Sequence, residues 1–140
     1  MKKSKIKLST VQTAFNKAIC LRDKVCRVHD GTPCKGVLQC SHFYPVGGNS
    51  GLRFYPFNAF GQCAGHHLSH HNRDPLMYAR WMESHYPEEL KWMEAVRGIP
   101  VRYSQQVLAE ILDTCREGNL ALVRTIIRRL YGECSIHNDL

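Results

Sequence analysis

Apolar residues recur at helical spacing near the start of the chain, lose that rhythm in the middle, and recover it in the second half. Val11, Ala14, Phe15, Ala18 and Ile19 share one helix face with Leu21 at its edge; Ser9 or Thr10 can cap this helix, and it ends near Arg22 to Lys24. From Val25 to Asn72 glycine, proline, cysteine and aromatic residues dominate. Within that stretch residues 37–44 read as a strand, 45–51 as a flexible loop and 52–55 as a second short strand. A helix follows from around Gln62 to Gly65. Asp74 before Pro75 predicts the start of a longer helix, which Pro87 with Glu88 and Glu89 restarts or kinks and Gly98 to Pro100 ends. Ser104 caps a helix with Val107, Leu108, Ile111, Leu112 and Cys115 on one face, closed by Gly118. Asn119 caps a last helix through about Tyr131, carrying Val123, Ile127 and Leu130, and the residues to Leu140 look frayed. These elements predict an α+β fold: an N-terminal helix, a ββα core and a helical C-terminal half. The one boundary, near Gly98 to Arg102, divides residues 1–98 from 99–140.

Composition narrows the class. A hydrophobic content of 44% with 9% aromatic residues suits a globular chain and excludes a disordered one. No apolar run is long enough for a membrane span, and the basic start lacks a signal peptide's apolar stretch, so a cytoplasmic protein is expected. The formal charge of +7 and pI near 9.2 favour a polyanionic partner, nucleic acid above all. The basic residues gather at Lys2 to Lys7, Arg22 to Arg27 and Arg124 to Arg129, the first and last groups as backbone contacts or a solvated face. Seven cysteines, an odd number, cannot all pair within one chain; five of them lie in the first half, and six of the eight histidines occur by His71. That clustering points to metal.

Cys26-x-x-His29 and Cys63-x-x-His66 are two knuckles of one form, and together they make a tetrahedral set suited to structural Zn²⁺. Cys34 and Cys40 are alternates that could give three or four thiolates, while Cys20 and Cys115 lie on or beside apolar helix faces and read as core. A second chemistry is carried by His42, at the end of the first strand, and by Asn58, neither needed by a zinc knuckle. Phosphodiester hydrolysis requires an activated water, a cation to offset developing charge, and a rigid frame. His42 is the candidate general base and Asn58 the residue that positions it. His67 and His71, one helical turn apart, could hold the catalytic cation, and Arg53 could contact the scissile phosphate.

Asn58, Cys63 and His66-His67 together resemble the HNH (His-Me finger) pattern of asparagine, a cysteine knuckle and histidine. More closely, residues 11–97 resemble the NinG/Rap recombination endonucleases of lambdoid phages, through Phe15 to Asp23, the Cys26 knuckle, Cys40 to Phe43, Leu52 to Phe54, Asn58 to Cys63 and a later helix carrying Tyr78. The resemblance implies a zinc-stapled ββα-metal (HNH-like) finger that uses Mg²⁺ or Mn²⁺ to cut branched DNA such as Holliday junctions. It also implies a phage or prophage protein, and two coordinated cuts make a homodimer reasonable. Both knuckles here carry His where the family usually has a second Cys. Gln39 replaces an aspartate three residues before the base, and Ser41 stands at a position that ligates metal in many HNH enzymes. His67, His70, His71 or Asp74 could compensate, and neutral imidazoles would favour Mn²⁺ or Ni²⁺ over an all-oxygen site's preference. The rival expectation is a non-catalytic zinc module that binds nucleic acid or protein; a toxin-like or homing nuclease is a weaker third.

Overall fold

The computed structural model describes residues 4–135 and is mixed α+β, with six α-helices and a two-stranded sheet. The first helix, α1 (Leu8–Asp23), begins before the expected caps: Lys7 occupies the N-cap with no side-chain bond, and Ser9 and Thr10 fall in the first turn. The Gln105 side chain grips both main-chain groups of Ile6 and so sets the entry to the helix. Val11, Phe15 and Ile19 are fully buried, each contributing on the order of 1.5–3 kcal/mol for its side chain. The helix ends at Lys24, whose backbone turns left-handed (φ 64°) and returns its N–H to Cys20.

Strands β1 (Leu38–His42) and β2 (Ala59–Cys63) pair antiparallel, from Leu38 opposite Cys63 to His42 opposite Ala59. The expected strand at 52–55 is instead part of a 3₁₀ turn, Ser50–Phe54, followed by a second at Pro56–Asn58. The true second strand lies later and gives no alternation, because all five of its residues are buried. α1 covers one face. Gly61 donates its N–H to the buried Asp23 carboxylate at 2.7 Å and accepts from Arg27 N–H at 2.8 Å. The other face carries Phe60 against Trp81.

Helix α2 (Ala64–Asn72) leaves β2 directly, with Cys63 as its N-cap. α3 (Leu76–His85) and α4 (Pro87–Val96) follow, with Pro87 at the start of α4 as the sequence predicts. The Ser104 hydroxyl caps α5 (Gln105–Arg116) through Val107 N–H, and Asn119 receives Leu122 N–H at the start of α6 (Leu120–Ser135). The fraying expected toward Leu140 falls beyond Ser135, outside the described residues. One hydrophobic core takes in residues from both sides of Gly98. α5 packs on α1, and α6 on the 3₁₀ segment, where a Cβ at Gly51 would overlap the Tyr131 ring. Among the described residues no helix is long and apolar enough to cross a membrane.

Candidate functional site

Four side chains converge where the loop after α1 meets the start of α2: Cys26, Cys34, Cys63 and His66. Their ligand atoms all lie within 4.8 Å of one another. From His66 Nδ1 the distances are 3.0 Å to Cys63 Sγ, 3.6 Å to Cys26 Sγ and 3.8 Å to Cys34 Sγ. A tetrahedral zinc ion with ordinary bond lengths would separate nitrogen and sulfur by about 3.6 Å, so the group is already near that geometry. Burial pushes the Cys26 thiol up to about 12, and thiolate character at Cys63 adds to this. Burial opposes ionisation of Cys63 as well, but the N–H groups of His66 and Lys35 outweigh it and bring that thiol down to about 6. Cys26 and Cys63, this close, both ionise only around a cation. A soft Cys₃His set fits Zn²⁺.

The Cys-x-x-His spacing of the first knuckle does not survive in space, and His29 stands outside the group. Its Nδ1 accepts the Gly31 N–H at 3.1 Å, a local bond that competes with ligation. Cys34 comes in instead on a loop docked by two main-chain bonds, Gly65 N–H to Lys35 O and Ala64 N–H to Val37 O. Gly36 (φ 83°) makes that approach, and a Cβ there would strike the Ala64 side chain at 2.8 Å. The other alternate, Cys40, lies on β1 between sheet and α1, where burial and the neighbouring Cys20 raise its pKa.

His42 closes β1. Its ring packs 5.9 Å from Phe15, and its Nε2 sits 3.0 Å from the Arg53 carbonyl. That carbonyl accepts only from a protonated Nε2, which leaves the lone pair on Nδ1. Burial, ahead of the Arg53 and His67 charges, holds the imidazole below its ordinary pKa and therefore neutral. Asn58 is fully buried and closes the loop after β1. Its Oδ1 accepts Tyr44 N–H at 2.8 Å, and its Nδ2 donates to the carbonyls of Tyr44 and Leu52 at 3.1 and 3.0 Å. Gln12 on α1, which the helical pattern gives no reason to notice, completes the frame. It receives Arg53 Nε–H at 3.0 Å, donates to the Arg53 carbonyl at 3.2 Å, and lies 3.5 Å from His42 Nε2.

The imidazoles of α2 occupy the other side of the sheet. His67 Nδ1 is 2.8 Å from Gln39 Oε1, and its ring is 4.9 Å from that of His71. Burial, then the His71 charge, lowers the pKa of His67. Ser41 is fully buried and its hydroxyl meets no hydrogen-bond partner, so it is closed to an exchangeable ion. His70 is buried against Tyr78, and Asp74 faces Arg80 at 3.6 Å. His67 and His71 are thus the accessible pair, and among the described residues no carboxylate joins them in a set of three metal-binding groups. No protein-family model, curated protein or solved structure matches this chain.

Proposed function

We propose that this chain is a metal-dependent DNA endonuclease of the HNH (His-Me finger) kind, acting on branched recombination DNA such as Holliday junctions. In this reading β1, β2 and α2 form a ββα-metal finger stapled by structural zinc. His42 is the observation that carries it: a neutral imidazole, fixed in one tautomer by the Arg53 carbonyl, that the Cys₃His group does not use. Its Nδ1 takes a proton from water as the water oxygen bonds to phosphorus, and the phosphorus–oxygen bond opposite breaks. Asn58 holds the loop that carries Arg53. Arg53 has no carboxylate partner among the described residues and gives Gln12 only its Nε–H, so the other guanidinium N–H groups would meet the phosphate. His67 and His71 would bind Mg²⁺ or Mn²⁺, which when bound supplies charge to offset that growing on the leaving oxygen. The junction preference, the phage origin and a homodimer making paired cuts come from the NinG/Rap resemblance. One observation favours a second reading, a non-catalytic zinc module that binds nucleic acid: His42 faces α1 while His67 faces the opposite side of the sheet.

The two readings separate on supercoiled plasmid, linear duplex and four-way junctions incubated with wild type or His42→Ala in Mg²⁺, Mn²⁺ or EDTA. Expected is metal-dependent cutting that falls by roughly 10²–10⁴ in the variant. After metal stripping, Mn²⁺ should restore more activity than Mg²⁺, since two neutral imidazoles suit it better. Binding without cutting in every metal would exclude the enzyme.

A further inference from the structure

His66 has two ring nitrogens and only one faces the thiols. For Nδ1 to donate a lone pair to a metal, the proton must sit on Nε2, and that N–H needs an acceptor. The acceptor is the Thr32 hydroxyl, 2.8 Å from Nε2. Thr32 in turn donates its own hydrogen to Asp30 Oδ1 at 2.6 Å. The same carboxylate oxygen lies 3.4 Å from His66 Nε2 and also accepts the Thr32 N–H at 3.0 Å, around a turn made by Gly31 at φ 90°. Every hydrogen in the chain from imidazole to carboxylate therefore has one direction. The reverse tautomer would put an N–H on Nδ1 among the three sulfurs and leave Nε2 as an acceptor.

We propose that Asp30 and Thr32 are positioning residues of the metal centre, which select the Nε2-protonated form of His66 and so make its Nδ1 a zinc ligand. The proposal rests on the Cys₃His centre and is independent of nuclease activity. Neither residue is a ligand, and both are exposed, so their replacement leaves the four donors and the core in place. Thr32→Val removes the hydroxyl at constant shape, yet Asp30 at 3.4 Å can partly take its place. The double variant Thr32→Val/Asp30→Asn also removes the charge that stabilises the polarised imidazole.

Metal-free wild type, Thr32→Val, Thr32→Ser and the double variant are titrated with Zn²⁺ against a competing chelating indicator. Expected is a loss of about tenfold in affinity for Thr32→Val and roughly a hundredfold for the double variant, with Thr32→Ser near wild type. Co²⁺-loaded forms of all four should share tetrahedral d–d bands and thiolate charge transfer, and melting temperatures in excess zinc should agree. Wild-type affinity in the double variant overturns the proposal. So does an altered cobalt spectrum, or a low melting temperature in excess zinc, since either assigns the pair another role. Wild-type protein that takes up neither ion overturns the centre itself.

Discussion

Single hydrogen bonds decide which histidines are available here. His29 spends its Nδ1 on Gly31, His66 turns Nε2 to Thr32, His42 gives Nε2 to Arg53, and His67 meets Gln39. Spacing alone could not distinguish His29 from Cys34, because the choice is made by a local turn and by the docking of residues 35–37 on α2. Gln12 was equally hidden, since its role comes from a partner 41 residues away. Replacing it by alanine should leave the Arg53 guanidinium without its tether and the Arg53 carbonyl with His42 alone. A stability loss of roughly 1 kcal/mol is expected by urea denaturation. The ¹⁵N shifts of His42 should move toward a tautomer mixture. Unchanged ¹⁵N shifts would show that Arg53 alone orders the ring.

The elements differ in how plainly the sequence displays them. α5 and α6 are legible because each pairs a helical apolar stripe with a capping residue, Ser104 or Asn119, whereas α1 shows its stripe but not its cap and α4 shows only its proline start. β2 is illegible for a physical reason: it runs between two layers, so its outward positions need no polar residue, while Gln62 and Gly61 dilute its apolar character. Gly61 sits in tight quarters, since a Cβ would stand 3.2 Å from Asp23 Cβ, Leu38 Cδ1 and the Val25 carbonyl. Gly61→Ala should therefore destabilise the protein by about 1–3 kcal/mol through overpacking. The expected observation is faster amide exchange across β1 and β2 with α5 less affected; an unchanged urea midpoint would refute the tight packing. The candidate site was legible in part: spacing picked out Cys26, Cys63 and His66, and the strand pattern put His42 at the end of β1. It was illegible where a face had to be known: sequence could not say that β1 turns His42 toward α1 and Gln39 toward α2.

Across the whole molecule, much of the basic charge is structural. Arg22 and Arg27 meet Asp23, while Arg124 and Arg128 meet Glu89 at 2.6 and 3.0 Å, which ties α6 to α4. Phosphate contacts would then fall to cations without such partners among the described residues, including Arg53, Lys35 and Arg73. The wholly or partly buried histidines also set the acid response. Burial is the largest cause lowering the pKa of His42, His67 and His70 below 6.5. The unfolded chain therefore binds protons first as pH falls, so stability is greatest above about 6.5 and declines below it. Urea midpoints in excess zinc should fall from roughly pH 7.5 to 5.5, and less steeply in His42→Gln. Equal slopes would show that His42 is not held neutral.

His66 and His67, adjacent in sequence, are proposed to serve different metals: one zinc in a Cys₃His centre, the other the cation of a nuclease. Zinc content and junction cutting measured on the same preparations of His66→Ala and His67→Ala test this division directly. The expected result is that His67→Ala keeps the wild-type zinc content and stops cutting, whereas His66→Ala loses zinc. A His67→Ala protein that cuts like wild type, or that loses its zinc as His66→Ala does, would contradict the division.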